Sequence, residues 1–89
     1  MIIVDVRTPA EFAEGHLEGA VNIDIQAGDF TTQLEPLDRH AHYVVYCKSG
    51  NRSARAVNIM DSSGFTDVTD AGGMPDASAT TGVPIVTTD

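Results

Sequence analysis

Residues 43–56, YVVYCKSGNRSARA, decide the fold. The first four are aromatic or β-branched and favour a buried strand, whereas the residues from Asn51 onward favour a helix. Six residues from Cys47 to Arg52, CKSGNR, include the turn that joins the two elements. A strand, a tight turn and a helix form a unit of an α/β domain, in which functional loops collect at the carboxyl ends of parallel strands.

The surroundings of Cys47, the only cysteine, predict a reactive thiol. Residues 49–51, Ser-Gly-Asn, let successive backbone N–H groups point inward and form an anion-binding nest. A helix N-terminus and nearby cations can lower a thiol pKa from about 8.5 to about 3.5–7.5, so Cys47 is predicted to be a thiolate nucleophile. Lys48 and Arg52 are predicted to hold an anionic substrate. The alternative, in which Cys47 is only a small buried apolar side chain, stays open.

The chain before this segment predicts a strand, a helix and a second strand. Residues 2–6, IIVDV, favour a buried strand. Thr8 is placed to cap a helix whose first residue is proline and whose capping box is completed by Glu11. That helix is expected to end at Gly15 in a left-handed conformation. Residues 20–25, AVNIDI, alternate apolar and polar residues and predict a more exposed strand.

The rest of the chain continues the alternation of helix and strand. Asp29 is placed to cap a short helix, and Gly64 to end the helix that follows Cys47. Residues 66–73 predict a short strand that ends in a glycine turn, and residues 74–82 predict a weak helical turn or loop. Residues 83–89 predict an edge segment, because a proline in it disfavours a position at the centre of the sheet. The predicted fold class is α/β, a single domain over residues 1–89 with a central parallel sheet and helices on both faces.

Composition narrows the class of protein. The 89 residues are 42% apolar and 20% charged, which is typical of an ordinary globular domain. No signal peptide is recognisable at the start, and a single cysteine cannot form an internal disulfide, so a reducing, cytoplasmic location is predicted. No apolar run reaches the roughly 18 residues that span a bilayer.

The charge balance is acidic, with 13 acidic and 5 basic side chains and a formal net charge of −8. Such a chain is not expected to bind nucleic acid or an anionic membrane surface. Three of the five basic residues nevertheless lie within residues 48–55, directly after the cysteine. This local excess of positive charge indicates an anion site.

Several motifs together resemble a known family. CKSGNRS (residues 47–53) resembles the active-site loop of rhodanese-like sulfurtransferases, and VDVRTPAEFAEGHLEGAVNI (residues 4–23) resembles the early motifs of that family. GFTDVTDAGGM (residues 64–74) resembles its later glycine turn, and GVPIV (residues 82–86) its closing segment. The resemblance implies a rhodanese-like fold that lacks the family's first strand and helix. The chain also lacks the tryptophan that the family often carries after the glycine turn.

The resemblance also implies an activity. Cys47 would attack the outer sulfur of a donor such as thiosulfate, sulfite would leave, and the resulting persulfide would pass its sulfur to a thiol or to cyanide. The implied partners are a small sulfur-donor anion and a thiol or protein acceptor, with no cofactor and no metal. The loop that would bind the anion comprises Lys48, Ser49, Gly50, Asn51, Arg52 and Ser53.

Three other interpretations are weighed against this one. A non-catalytic or regulatory rhodanese-like binding module is the main alternative. Phosphatases and arsenate reductases of related architecture have five residues between cysteine and arginine, whereas four separate Cys47 from Arg52, and the tighter loop favours a sulfur atom over a phosphate. A metal site is not expected at His16, His40 and His42, because no further ligand stands at a suitable spacing.

Two supporting contacts are predicted near the site. Arg7 and Glu11 stand at spacing i to i+4 and predict a structural ion pair. Asp5, at the end of the first strand, is predicted to orient Arg7 or the cysteine loop. Gly72 and Gly73 are expected to provide turn geometry in a loop that borders the pocket. Oligomeric state is left open.

Overall fold

The computed structural model describes residues 1–87. The described residues contain six strands, four α-helices and one 3-10 turn. In chain order these are β1 (Ile2–Asp5), α1 (Pro9–Glu14), β2 (His16–Leu17), β3 (Val21–Asn22), the 3-10 turn (Ile25–Ala27), α2 (Phe30–Leu34), β4 (Tyr43–Cys47), α3 (Asn51–Ser62), β5 (Val68–Gly73), α4 (Met74–Thr81) and β6 (Ile85–Val86).

Four parallel strands form the main sheet, in the order β3-β1-β4-β5. In the central pair, Val4 stands opposite Val45 and Asp5 opposite Tyr46. The chain moves from β1 to β3 on one side and then crosses to β4 on the other, so the strand order switches between β1 and β4. In open α/β sheets such a switch point is where ligands bind, beyond the carboxyl ends of the strands.

The two faces of the sheet carry separate apolar clusters, because successive side chains of a strand point to opposite faces. One cluster joins Val4, Val45 and Cys47 to Phe30 of α2 and Met60 of α3, with other buried residues. The other joins Ile3, Leu17 and Tyr46 to Ala77 of α4. The predicted fold class is therefore confirmed: a central parallel sheet has helices on both of its faces, in one small domain.

The start of α1 follows its sequence signal. The Glu11 backbone N–H donates to Thr8 Oγ1 at 3.3 Å, and the Thr8 N–H donates to Glu11 Oε1 at 3.2 Å, which completes the predicted capping box. The predicted left-handed conformation of Gly15 is wrong. Its φ of 157° and ψ of 139° lie outside the left-handed helical region, because the chain turns directly into β2.

Two other local predictions need correction. The strand predicted over residues 20–25 is limited to Val21–Asn22, because Asp24 caps a 3-10 turn by accepting a hydrogen bond from the Gln26 N–H at 2.8 Å. The weak turn or loop predicted over residues 74–82 is a helix, Met74–Thr81. Its proline occupies the first turn, where no hydrogen bond from a backbone N–H is lost, and Ala77 is buried against the sheet.

The last described strand lies at an edge, as Pro84 predicts. Ile85–Val86 pairs antiparallel with His16–Leu17 in a separate two-stranded ribbon, and residues 88–89 of the predicted tail lie outside the described part of the chain. Among residues 1–87, no helix has the length and apolar character needed to cross a lipid bilayer.

Candidate functional site

The loop after β4 lies at the topological switch point. Cys47 is the last residue of β4, and α3 begins at Asn51. Gly50 caps the helix with φ of 105° and ψ of −18°, a left-handed conformation that other residues rarely adopt. This glycine turns the chain sharply enough for the loop to fold back over the cysteine.

The Cys47 sulfur contacts two groups of this loop. The Gly50 N–H donates to Sγ at 2.9 Å, and Ser53 Oγ lies 3.5 Å from Sγ. The Ser53 hydroxyl also donates to the Gly50 carbonyl oxygen at 3.0 Å, which fixes its position. Cys47 and Ser53 are both fully buried. One amide of the predicted nest, that of Gly50, therefore donates to Cys47 Sγ.

Two opposing effects act on the thiol. Burial raises the pKa of Cys47, but hydrogen bonds with the Ser53 side chain and with backbone groups of Ser53, Gly50 and Ser49 lower it. The hydrogen bonds prevail, and the pKa of Cys47 lies below its ordinary value. The loop thus favours the thiolate, which is the nucleophilic form of cysteine.

Arg52 is held by a carboxylate of the protein itself. Its Nη1 donates to Glu11 Oε1 at 2.7 Å and its Nη2 to Glu11 Oε2 at 2.9 Å, a bidentate pair between α3 and α1. This contact lowers the pKa of Glu11 to about 2 and raises that of Arg52. The predicted Arg7–Glu11 ion pair is therefore wrong, and the guanidinium of Arg52 is already occupied.

Arg7 pairs with Asp5 instead. Arg7 Nη2 donates to Asp5 Oδ2 at 2.7 Å and to the Gly15 carbonyl oxygen at 2.6 Å, and the Tyr46 hydroxyl donates to Asp5 Oδ2 at 2.8 Å. Asp5 orients Arg7, as predicted. The side chains of Asp5 and Tyr46 meet on the sheet face opposite to the Cys47 thiol, so Asp5 supports the strand ends and not the cysteine loop.

A pocket of about 360 Å³ opens beside this loop. Arg7, Lys48 and Met74 line it, each just beyond the carboxyl end of one strand, β1, β4 or β5. Glu11 and Glu14 of α1 form another wall. Lys48, predicted in the anion loop, is exposed at this pocket.

Gly73 supports the cysteine loop from β5. It stands opposite Cys47 in the sheet register, and a Cβ atom at this position would lie 2.7 Å from the Lys48 carbonyl oxygen. Gly72 lies against Gly50. The predicted glycine turn therefore borders the site, because only glycine at position 73 leaves room for the backbone of the loop.

The three histidines have other roles. His16 Nδ1 lies 2.8 Å from the Phe12 carbonyl oxygen, and its ring stacks on that of Phe12 with centroids 3.8 Å apart. His42 pairs with Asp67 at 2.9 Å on the surface, and His40 is exposed. Within residues 1–87, no three His, Cys, Asp or Glu side chains lie close enough together to hold a metal ion.

The partner of Arg52 and the contact between Tyr46 and Asp5 are not predicted from the sequence. Glu11 and Arg52 are 41 residues apart, as are Asp5 and Tyr46, and no local spacing signals such contacts. The only available hint is topological. β1 and β4 lie on either side of the switch point, so residues at and after the ends of these two strands are expected to be neighbours.

Comparisons with known proteins cover the same residues. A sequence model described as the rhodanese-like domain matches residues 1–79. Thiosulfate sulfurtransferase PspE of Escherichia coli is 33% identical over 73 residues, which cover 82% of this chain and 70% of that protein. A sulfurtransferase of Allochromatium vinosum is 35% identical over 86 residues, 97% of this chain and 78% of that protein.

Solved structures give the same result for the fold. A rhodanese-like domain from Anabaena sp. superposes with a TM-score of 0.84 at 27% identity, covering 100% of this chain and 94% of that structure. A rhodanese with anions from E. coli superposes with a TM-score of 0.80 at 31% identity, covering 98% of each chain.

Proposed function

This chain belongs to the rhodanese-like family of sulfurtransferases, and on that premise we propose that Cys47 carries a sulfane sulfur from donor to acceptor as a persulfide. The observation that carries the proposal is the contact from the Gly50 N–H to Cys47 Sγ at 2.9 Å, in a loop that lowers the pKa of the thiol. A buried thiolate with fixed donors is both nucleophilic and held in one position.

The first half-reaction loads the cysteine. The Cys47 thiolate attacks the outer sulfur of thiosulfate, a bond forms between the two sulfur atoms, and the donor's S–S bond breaks. Sulfite leaves with the bonding electron pair, so no oxidant or reductant is needed. The negative charge then lies on the outer sulfur of the persulfide, where loop donors stabilise it. Thiosulfate is proposed as donor because PspE, named a thiosulfate sulfurtransferase, is similar to this chain.

The second half-reaction returns the enzyme to its starting state. The thiolate of an acceptor attacks the outer sulfur of the protonated persulfide, forms a new S–S bond and releases the Cys47 thiolate. The product is the acceptor's persulfide, so atoms and charge balance. This two-step scheme is covalent catalysis, for which ping-pong kinetics are the expected signature. It uses no metal and no cofactor.

We assign distinct roles to the other loop residues. Ser53 holds its hydroxyl beside the sulfur, Gly50 supplies an amide and the turn, and Ser49 and Asn51 complete the curve of the backbone. Lys48 attracts the anionic part of the donor at the pocket. Arg52, bound by Glu11, is a positioning residue that fixes the start of α3.

Asp5 and Arg7 support the ends of the strands in this proposal. We further assign the reaction to the cytoplasm, where a lone cysteine stays reduced.

Intact mass of the protein after incubation with thiosulfate tests the proposal. We expect a gain of about 32 Da, one sulfur atom, that is lost on treatment with cyanide or a thiol. The Cys47→Ser variant should gain nothing, and its circular dichroism spectrum should match that of the parent. Ser62→Ala, which changes an exposed hydroxyl near the end of α3, should gain the same mass as the parent.

Full burial of Cys47 favours a second candidate function, a non-catalytic binding module. Absence of any adduct with thiosulfate or with a small-molecule persulfide, in a folded parent protein, would reject the sulfurtransferase and support the module. Hydrolysis of an aryl phosphate at a rate comparable to sulfur transfer would instead favour a phosphatase.

A further inference from the structure

The Ser53 hydroxyl has two partners but only one hydrogen. Its Oγ lies 3.5 Å from Cys47 Sγ and 3.0 Å from the Gly50 carbonyl oxygen, and both Ser53 and Cys47 are fully buried. A hydroxyl donates one hydrogen bond, accepts up to two, and rotates its hydrogen to suit its partners. Because a carbonyl oxygen can only accept, the hydrogen of Ser53 is directed to Gly50. Towards the sulfur, Ser53 is then an acceptor for the S–H group of Cys47.

Loss of the thiol proton makes this arrangement unfavourable. A thiolate has no hydrogen to donate, so the Ser53 oxygen would face the negative sulfur with a lone pair. If the hydroxyl turns its hydrogen to Sγ instead, the repulsion becomes a charge-assisted hydrogen bond, which is roughly twice as strong as a neutral one. Both effects are larger in a buried site than in water, because the local dielectric constant is low. The charge on Cys47 therefore favours rotation of the Ser53 hydroxyl.

The rotation leaves the Gly50 carbonyl oxygen with a partner. This oxygen also accepts a hydrogen bond from the Ala54 N–H at 3.2 Å, as the first carbonyl of α3. A buried carbonyl without any partner would oppose the rotation, but this one keeps the Ala54 bond when Ser53 turns away. The Gly50 N–H continues to donate to Cys47 Sγ at 2.9 Å. Gly50 thus offers its N–H to the sulfur and its carbonyl oxygen as a second acceptor for Ser53.

We propose that the Ser53 hydroxyl is a two-position switch, which donates to the Gly50 carbonyl oxygen when Cys47 is a thiol and to Cys47 Sγ when Cys47 is a thiolate. Only the O–H bond rotates, and Ser53 takes up and releases no proton.

The place of this switch in catalysis rests on the proposed function. Before loading, the hydroxyl donates to the Cys47 thiolate. In the persulfide, Sγ has two covalent bonds and the charge lies on the outer sulfur, so the hydroxyl returns to Gly50. When an acceptor thiolate takes the outer sulfur, Sγ leaves with the bonding electron pair, and the hydroxyl turns back to stabilise the charge that forms on it. Ser53 is therefore a catalytic residue in both half-reactions, because it touches the reacting sulfur.

An NMR titration of the sulfur-free protein tests the switch without any sulfur transfer. The Gly50 carbonyl carbon, observed through the Asn51 N–H, is followed between about pH 4 and about pH 10 together with the Gly50 amide. We expect the carbonyl carbon to move to lower chemical shift as Cys47 ionises, because it loses the hydrogen bond from Ser53. The Gly50 amide should move over the same pH range. Cys47→Ser, which has no thiol, gives the baseline.

That baseline contains the effects of other charged groups. Lys48 and Arg52 belong to the loop, Glu11 contacts Arg52, and Asp24 acts on Arg52 through its charge. Arg52 lowers the pKa of Glu11 to about 2, and Glu11 raises the pKa of Arg52, so this pair keeps its charges throughout the titration. Any shift that Lys48 or Asp24 causes appears equally in Cys47→Ser.

Two variants separate the rotation from the direct effect of the thiolate charge. In Ser53→Ala the Gly50 carbonyl carbon should start near the value that the parent reaches at high pH and move little, while the Gly50 amide still titrates. Ser63→Ala is the matched control, because the Ser63 hydroxyl donates to the Ile59 carbonyl oxygen at 2.8 Å and lies outside the loop. Its titration should coincide with that of the parent. A carbonyl carbon that does not follow Cys47, or that moves equally in parent and Ser53→Ala, would overturn the inference.

The rate of sulfur release gives a second test that a merely structural role of Ser53 would not satisfy. A thiol of higher pKa is a slower leaving group in thiol–disulfide exchange, whatever the pH. Loaded Ser53→Ala should therefore pass its sulfur to 2-mercaptoethanol several-fold more slowly than the loaded parent at every pH, whereas its loading should recover at high pH. Ser63→Ala should match the parent in both steps. Release from Ser53→Ala at the parent's rate would count against the inference.

The outcome is distinguishable from failure of the proposed function. If Cys47 gains a sulfur from thiosulfate but the Gly50 carbonyl carbon does not titrate with it, sulfur carriage stands and the inference fails. If Cys47 gains no sulfur from any donor while the carbonyl carbon titrates as expected, the proposed function fails. The switch then stands as a response of Ser53 to the charge of the thiol, and its catalytic role is rejected.

Discussion

At the scale of single residues, Cys47 combines burial with hydrogen bonding. Burial alone would make it an inert apolar side chain, and the open alternative from the sequence is correct in that the residue has no exposed surface. The Gly50 N–H and the Ser53 hydroxyl reverse the effect of burial on the pKa. The acidity of this thiol therefore depends on a few hydrogen bonds, of which the one with the Ser53 hydroxyl can be removed by substitution.

Ser53→Ala should make Cys47 less acidic. The substitution removes the hydrogen bond between the sulfur and the Ser53 hydroxyl, and since that hydrogen bond lowers the pKa of Cys47, its loss raises the pKa. Hydrogen bonds to charged groups are worth about 1.5–3 kcal/mol, so persulfide formation at neutral pH should slow by a factor between about ten and a hundred. The pH–rate profile, with thiolate formation followed by ultraviolet absorbance, should move to higher pH and recover most of its rate there.

Ser62→Ala is the matched control for that substitution, because Ser62 is exposed and lies outside the loop. Its profile should coincide with that of the parent. A Ser53→Ala profile that is lower at every pH but unmoved along the pH axis would mean that Ser53 positions the loop and does not tune the thiol.

Single residues also show what the sequence can predict. Lys48, Gly50 and Ser53 are recognisable because loop, turn and helix start follow one another along the chain. The Arg7–Glu11 prediction failed because the i to i+4 rule applies within a helix, whereas Arg7 precedes the cap of α1 at Thr8. Asp5, two residues away, instead accepts hydrogen bonds from both the backbone N–H and the side chain of Arg7.

At the scale of elements, α1 is attached to the site by one ion pair. It has no fully buried residue, so packing alone holds it weakly. The bidentate Glu11–Arg52 contact ties it to the first turn of α3, next to Cys47. The same carboxylate also accepts the Thr8 N–H in the capping box, so Glu11 couples the start of α1 to the start of α3.

Glu11→Gln should lower stability in a pH-dependent way. The folded pKa of Glu11, about 2, lies below its ordinary value of 4.5, so the charged form stabilises the fold above about pH 4.5, and this contribution is lost as pH falls through about 2. Glutamine preserves the capping box but removes the charge. We expect a loss of about 1 kcal/mol in the free energy of unfolding at pH 7, measured by denaturant titration.

The difference between parent and Glu11→Gln should shrink as the pH is lowered from about 4.5 towards 2. Glu18→Gln, which removes an exposed carboxylate outside the pocket, should match the parent at every pH. A difference that stays constant over this range would show that the loss comes from altered packing of α1 and not from the ion pair.

Elements differ in how well the sequence predicts them. The buried strands β1 and β4 and the helix α3 carry strong local signals, and their predicted bounds are nearly correct. The ribbon of β2 and β6 has two residues in each strand, and each is a strand only because the other lies beside it. Pairing across most of the chain length leaves no periodic pattern to recognise.

At the scale of the whole molecule, the net charge governs the electrostatic interaction of the protein with the proposed anionic donor. The formal net charge of −8 is spread over a body of only 32 × 25 × 22 Å. Two of the arginines near the site are neutralised by Asp5 and Glu11, so the local cationic surplus that the sequence predicts is reduced to Lys48 and the exposed Arg55. The sequence shows where the cations are, but only the fold shows which are paired.

Added salt should therefore speed the reaction with thiosulfate. At about 0.01 M salt the screening length is about 30 Å, comparable to the molecule, so every acidic side chain repels the dianion, whereas at about 0.15 M it is about 8 Å. We expect kcat/KM for thiosulfate to rise about three-fold between these conditions, measured with NaCl at constant pH. Transfer from the loaded enzyme to uncharged 2-mercaptoethanol, at a pH where that thiol is protonated, should change little. A fall in kcat/KM for thiosulfate with added salt would mean that attraction of the donor by Lys48 and Arg55 outweighs its repulsion by the net charge. The local positive charge would then increase the rate at which the donor reaches the loop.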